Sequence, residues 1–150
     1  MTENKTKLPP QDLEAEKAVI SYALTGHAHE VHHAIRPHCF YSNKHQEIMM
    51  AIDRLIMKSE NVDNVTILKK LKENNTLDSC GGHEYLLKLL EAKPTETLES
   101  YTKKIMDTRY KRDIARFLNE TISMIYSDQP VYDLDDILDH IKSHMMEYGI

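Results

Sequence analysis

After Pro94 the chain runs from Thr95 or Glu96 to about Tyr126 without a glycine or a proline, its longest uninterrupted helical pattern. At 1.5 Å per residue such a helix is about 45 Å long, longer than a small domain is wide, so it must project beyond a head or bend. Leu98, Tyr101 and Ile105 form one apolar stripe along it; Ile114, Phe117, Leu118, Thr121, Ile122 and Ile125 form another. The phase slips between the two near Arg109 to Asp113, so the first stripe is expected to pack on the head and the second on something else.

Asp128-Gln129-Pro130 reads as a turn. A last helix is expected from about Leu134 to Glu147, with Leu134, Ile137, Leu138, Ile141 and Met145 on one face. Residues 103–116 hold six Lys/Arg against two Asp, a net of +4; residues 127–147 hold six Asp/Glu against one Lys, a net of -5. Arms of opposite sign favour an antiparallel hairpin, or pairing with the same hairpin of another copy. Each screened pair contributes only about 0.2–1 kcal/mol, so charge sets register more than stability. A two-helix hairpin outside a head cannot bury its apolar faces alone, and a symmetric dimer packing hairpin on hairpin is the economical solution. The candidate self-association residues are therefore Ile114, Phe117, Leu118, Ile125, Leu134, Ile137, Leu138 and Ile141.

The preceding chain reads as short helices. Pro9-Pro10 stiffen the entry, and Asp12 is a good N-cap for a helix whose first turn carries Glu14 and Glu16. Ala15, Ala18, Val19, Tyr22 and Ala23 share one face of it, and Gly26 ends it. A short helix of about Ala28 to Arg36 presents Val31 and Ile35 and stops at Pro37. Ser42 or Asn43 caps a third, with Ile48, Met49, Ile52, Leu55 and Ile56 in a stripe; Asp63 or Asn64 caps a fourth, with Val65, Leu68 and Leu71 as core candidates. Gly81-Gly82 break the chain before a fifth, which carries Tyr85, Leu86, Leu89 and Leu90. The expected fold class is all-α: a flexible lead over 1–11, a compact head of about five to six helices over 12–94, and a long helix with a C-terminal helical hairpin over 95–150.

The totals narrow the function. Among 150 residues, 41% hydrophobic and 29% charged describe a globular domain, and a formal charge of -5 argues against a surface built mainly to neutralise phosphates. Two cysteines, no apolar leader and no run near the ~18 apolar residues of a membrane span point to a cytoplasmic protein with reduced thiols. With glycine only at 26, 81, 82 and 149 there is no phosphate-cradling loop, and neither H-E-x-x-H nor C-x-x-C occurs. No catalytic residue and no cofactor is expected in this chain.

Four constellations invite sharper readings. His27, His29, His32, His33 and His38 crowd beside Cys39, and His29 and His33 stand at i, i+4, where they could grip one metal ion; zinc, however, takes three or four such ligands. The plainer reading is a polar helix face that is His-rich, with Cys39 buried as a small apolar residue. Cys80-Gly81-Gly82-His83 resembles a nucleophile turn, or a helix-to-helix turn in which the glycines supply unusual backbone angles and Cys80 packs inward. Val65 to Leu77, with Lys69, Lys70 and Lys72, resembles half of a helix-turn-helix, or an ordinary solvated helix. The basic run Lys103 to Arg116 is a phosphate track or a hairpin arm facing acidic neighbours. A His-rich metal-binding regulator and a DNA-binding adaptor thus stand as alternatives to an assembly domain.

The landmarks also occur in a family-like order. Leu8-Pro9-Pro10-Gln11-Asp12-Leu13-Glu14-Ala15-Glu16 resembles an opening P-P-x-x-x-E-A-E; Phe40-Tyr41 with His45 resembles D-F-Y-x-x-x-H. Val62-Asp63-Asn64-Val65-Thr66 resembles V-D-x-V-T, and Gly81-Gly82-His83-Glu84-Tyr85-Leu86 resembles G-G-x-x-Y-L. With Pro94, Tyr101 and Ile105 following at the right spacing, residues 8–147 resemble the N-terminal domain of the bacterial replicative DNA helicase, the DnaB family. Cys39 stands where the family usually has an acid, Cys80 where a larger aliphatic is common, and Thr102 where a second tyrosine is usual.

The resemblance implies a helicase collar: a helical head plus a hairpin that pairs two copies, three pairs forming a hexameric ring. It implies docking of the primase C-terminal domain, a helicase loader as a further partner, and single-stranded DNA encircled by the parent hexamer. By position, Tyr85, Arg116 and Ile122 would face the primase. ATP and magnesium would belong to a RecA-like motor that the family carries beyond this region, so an excised domain of a bacterial, nucleoid-associated protein is expected, with no membrane partner.

Overall fold

The computed structural model describes residues 8–128 and 132–149. Among these every regular element is helical, as expected of an all-α chain. Close contacts divide the chain into two units at Arg109/Tyr110. The division falls within the long helix, whose first stripe belongs to the head core.

In the first unit, α1 (Leu13–Tyr22) starts where the Asp12 side chain accepts the Ala15 N–H at 3.0 Å. Its Ala15, Ala18, Val19 and Ile20 are buried. The α-geometry fails at Thr25 and Gly26, the latter at φ +101°, and a π-type turn (Ala23–His27) leads straight into α2 (Ala28–Ala34). α2 is shorter than expected because Ile35 is already extended, its side chain buried ahead of Pro37. A 3-10 turn (Pro37–Cys39) brings the chain to α3 (Asn43–Met57), whose Ile48, Met49, Ile52 and Leu55 fill the centre of the core.

α4 (Asn64–Glu73) opens on a capping box: Thr66 N–H donates to Asp63 Oδ1 at 2.8 Å, and Asp63 N–H to Thr66 Oγ1 at 3.0 Å. Val65, an expected core residue, is 72% exposed, whereas Ile67 is fully buried with Leu71. The inward face of this helix is set by the i, i+4 pair Ile67/Leu71, which leaves Val65 on the opposite side. α5 (Gly82–Glu91) buries Leu86 and Leu89. Cys80 is fully buried, and burial pushes its thiol up, away from nucleophile chemistry.

The connection from α5 to α6 (Leu98–Ile125) is fastened to α1. Ser21 Oγ donates to the Ala92 carbonyl at 2.6 Å, and Tyr101 OH accepts from the N–H groups of Thr95 and Glu96 at 3.1 and 3.2 Å. Tyr101 and Ile105 are buried with the head core, as the first stripe requires.

The second unit comprises α6 from Tyr110 onward and α7 (Leu134–Glu147). α7 has its own capping box, Asp136 N–H to Asp133 Oδ1 at 2.9 Å and Asp133 N–H to Asp136 Oδ2 at 3.1 Å. Gln129 and Pro130 of the expected turn lie outside the described residues. Among the described residues no helix is long and apolar enough to cross a membrane.

Candidate functional site

Three family-like landmarks of the sequence meet inside the head. Glu16 is fully buried, yet its carboxylate accepts three hydrogen bonds: from Tyr41 N–H at 2.8 Å, from Ser42 N–H at 3.2 Å and from His45 Nδ1 at 2.8 Å. A buried carboxylate needs such partners to offset its lost hydration. His45 is itself 1% exposed, and its Nε2 lies 2.6 Å from Tyr85 OH. His45 thus bridges the Glu16 carboxylate through Nδ1 and the Tyr85 phenol through Nε2. The phenol is held protonated: burial first, then the charges of Glu16 and Glu14, push it up to about 12.

Tyr85 closes this chain at the surface. Its half-buried ring lies nearly parallel to His45, 5.9 Å between centroids, and Lys44 Nζ stands 4.0 Å over the ring. Gly81, at φ +91°, sits against the ring's base; a Cβ there would lie 2.7 Å from Tyr85 Cβ. Gly81 is therefore required both by its backbone angle and by its closeness to Tyr85. Glu16 and His45 had no functional reading in the sequence beyond their places in the landmarks; no local spacing links residues 29 positions apart.

The hairpin splits the second stripe between two faces. Phe117 turns inward, its ring stacked on His144 (3.8 Å, 3° between planes) and on His140 (5.0 Å, 27°). Thr121 is buried beside it, donating to the Phe117 carbonyl at 2.8 Å. Ile137 and Ile141 are half-buried. By contrast Ile114, Leu118, Ile122 and Ile125 on α6, and Leu134, Leu138 and Met145 on α7, are between 41% and 69% exposed. Arg116 is exposed and pairs with Asp113 at 3.5 Å. Of the expected partner residues, Tyr85 thus belongs to the first unit, and Arg116 and Ile122 to the second.

The alternatives gain nothing specific. His29 and His33 are exposed, and among the described residues no group of three or more His, Cys, Asp or Glu side chains is placed to hold a metal ion. His32 is instead tied to Asp53, Nδ1 to Oδ1, at 2.8 Å. On α4, Lys69 and Lys72 face solvent and Lys70 lies 3.8 Å from Glu73, the arrangement of an ordinary solvated face.

The family model for the DnaB-like helicase N-terminal domain matches residues 8–107. The chain belongs to this family. The match takes in all of the Glu16–His45–Tyr85 chain, so in this DnaB-type domain the landmarks E-A-E, F-Y-x-x-x-H and G-G-x-x-Y-L converge on one buried hydrogen-bond network. The replicative DNA helicase DnaB of Geobacillus stearothermophilus is 31% identical over 145 residues, and the replicative DNA helicase DnaC of Bacillus subtilis 33% over 149. Each comparison covers 94% of this chain and 31% of the relative, so the chain spans about a third of the length of these relatives. The N-terminal domain of DnaB helicase from Mycobacterium tuberculosis superposes with a TM-score of 0.83 at 26% identity, covering 93% of this chain and 99% of that one. The N-terminal domain of DnaB helicase from Helicobacter pylori, described together with its interactions with primase, shares the fold: TM-score 0.65, 20% identity, 75% of this chain and 90% of that one.

Proposed function

We propose that this DnaB-type domain is the assembly and docking collar of a replicative DNA helicase and carries no catalytic site of its own. The observation that carries the reading is the open stripe of Ile114, Leu118, Ile122 and Ile125, matched on α7 by Leu134, Leu138 and Met145. Fully burying one such side chain contributes ~1.5–3 kcal/mol, and these are about half covered, so pairing with a second copy gains on the order of 1 kcal/mol from each. Summed over two copies, that is comparable to the ~4–15 kcal/mol cost of association. The basic part of α6 and the acidic α7 set the register. Three such dimers make a hexameric ring.

The collar then recruits the C-terminal domain of primase, with Tyr85 on the head and Arg116 and Ile122 on the hairpin as contact residues. The likeness to a Helicobacter pylori domain described with its interactions with primase supports this partner. A helicase loader is a further partner. ATP, magnesium and single-stranded DNA are handled by a motor domain of the parent hexamer, in the bacterial cytoplasm at the nucleoid.

Light scattering across a concentration series tests the assembly. A molar mass rising to twice or six times the 17.5 kDa chain is expected. A monomer at every concentration removes the self-association reading.

A further inference from the structure

Tyr85 is unusually well held for a residue with solvent access. Its hydroxyl is anchored 2.6 Å from His45 Nε2. His45 is anchored by Glu16, and Glu16 by the backbone of Tyr41 and Ser42, so α1, the start of α3 and α5 all bear on one ring. Gly81 closes on its base and Lys44 stands over the ring. A solvated tyrosine needs no such support; Tyr85 also packs against the edge of the head core, whose fully buried α5 residues are Leu86 and Leu89.

We propose that Glu16 and His45 are positioning residues, which lock the Tyr85 ring in advance for a partner surface. This rests on the docking reading above. Interfaces are dominated by a few aromatic anchors that surrender little side-chain freedom on binding, and an anchor immobilised beforehand surrenders least. The neighbourhood also states what the partner offers. Lys44 is in no ion pair among the described residues, and its ammonium lies beside an aromatic surface. The fitting surface carries an apolar side chain for the ring and a carboxylate for Lys44.

The test is calorimetric titration of this chain with the primase C-terminal domain, using Tyr85→Ala, Tyr85→Phe, His45→Gln and the Phe/Gln double variant. Tyr85→Ala is expected to weaken binding tenfold or more. Tyr85→Phe and His45→Gln are each expected to weaken it about three- to tenfold. The double variant should be no worse than Tyr85→Phe, because both changes cut the same link. In the free chain, NMR of the Tyr85 ring should show faster ring flipping in His45→Gln. If Tyr85→Ala binds like the parent chain, the docking reading fails and this inference with it. If Tyr85→Ala weakens binding but Tyr85→Phe and His45→Gln do not, docking stands and positioning is overturned. Additive losses in the double variant also overturn it. Should His45→Gln fail to fold, Tyr85→Phe, which keeps the ring and loses only the link, decides alone.

Discussion

Arg109 donates a guanidinium N–H to the Sγ of Cys39 at 3.1 Å, joining the middle of α6 to the 3-10 turn across 70 positions of sequence. Cys39 is 3% exposed, immediately before Phe40-Tyr41. A carboxylate at this position would face the same guanidinium N–H. The guanidinium donor is already charged, so an ionised acceptor in place of the weakly accepting thiol sulfur adds the attraction of an ion pair to the hydrogen bond. Cys39→Asp is expected to stabilise the head by about 1 kcal/mol at neutral pH, read as a higher urea midpoint. The new carboxyl, held below its unfolded value of about 3.9 by the guanidinium, should lose that gain as pH falls through the acid range. A lower midpoint in Cys39→Asp at pH 7 would show that the site cannot accommodate the charge.

Tyr85 supplies a signature at the other end of the pH scale. Its phenol is raised from 10.0 to about 12, by burial first and then by Glu16 and Glu14. Between pH 10 and 12 the unfolded chain has released this proton and the folded chain has not, so the unfolded state binds fewer protons and stability falls as pH rises. The ring is partly solvated, which screens the effect to about 1 kcal/mol or less. Urea titrations at pH 9 and pH 11 should show the loss, and Tyr85→Phe should remove its share of it. An identical slope in Tyr85→Phe would assign the loss to other groups.

Two glycines separate the cost of a backbone angle from the cost of space. Gly26 and Gly81 both have positive φ, +101° and +91°, but a Cβ on Gly26 meets nothing within 4 Å, while one on Gly81 meets Tyr85 Cβ at 2.7 Å. Gly26→Ala is expected to cost about 1 kcal/mol, and Gly81→Ala about 2–3 kcal/mol because the Tyr85 backbone must also give way. Equal losses in thermal melts would mean that the first turn of α5 yields freely.

The hairpin predicts a dissociation of effects. Leu118→Asp charges the open stripe and should lower molar mass in light scattering while leaving helicity and melting temperature of the dilute chain unchanged. Phe117→Asp removes a ring stacked on His140 and His144 and should cost about 1–3 kcal/mol of hairpin stability whatever the concentration. If both variants changed only the mass, Phe117 would belong to the pairing face after all.

Much of the architecture was legible because it rests on local rules. The Asp12 and Asp63 caps, the α3 stripe and the bounds of α7 follow from neighbours in sequence. So does the change of role along α6, where the phase slip near Arg109 falls at the division between the two units. Val65 departs from expectation because Val65, Leu68 and Leu71 fit a helical stripe as well as Ile67 and Leu71 do, and only packing decides between them. The buried network was not legible: Glu16 looks like a first-turn charge and His45 like a polar helix residue until α1, α3 and α5 are brought together. Phe117 read as part of the open stripe for the same reason, since its stacking partners come from another helix.

The acidity of α7 has a consequence for what its apolar side chains can meet. Leu134, Leu138 and Met145 are interspersed with Asp133, Asp135, Asp136, Asp139 and Glu147 on the same short helix. Adhesive side chains flanked by like charges repel indiscriminate neighbours, the gatekeeper arrangement that keeps unavoidable sticky segments from coagulating. By the same physics, a surface rich in lysine and arginine approaches this face more easily than an acidic one.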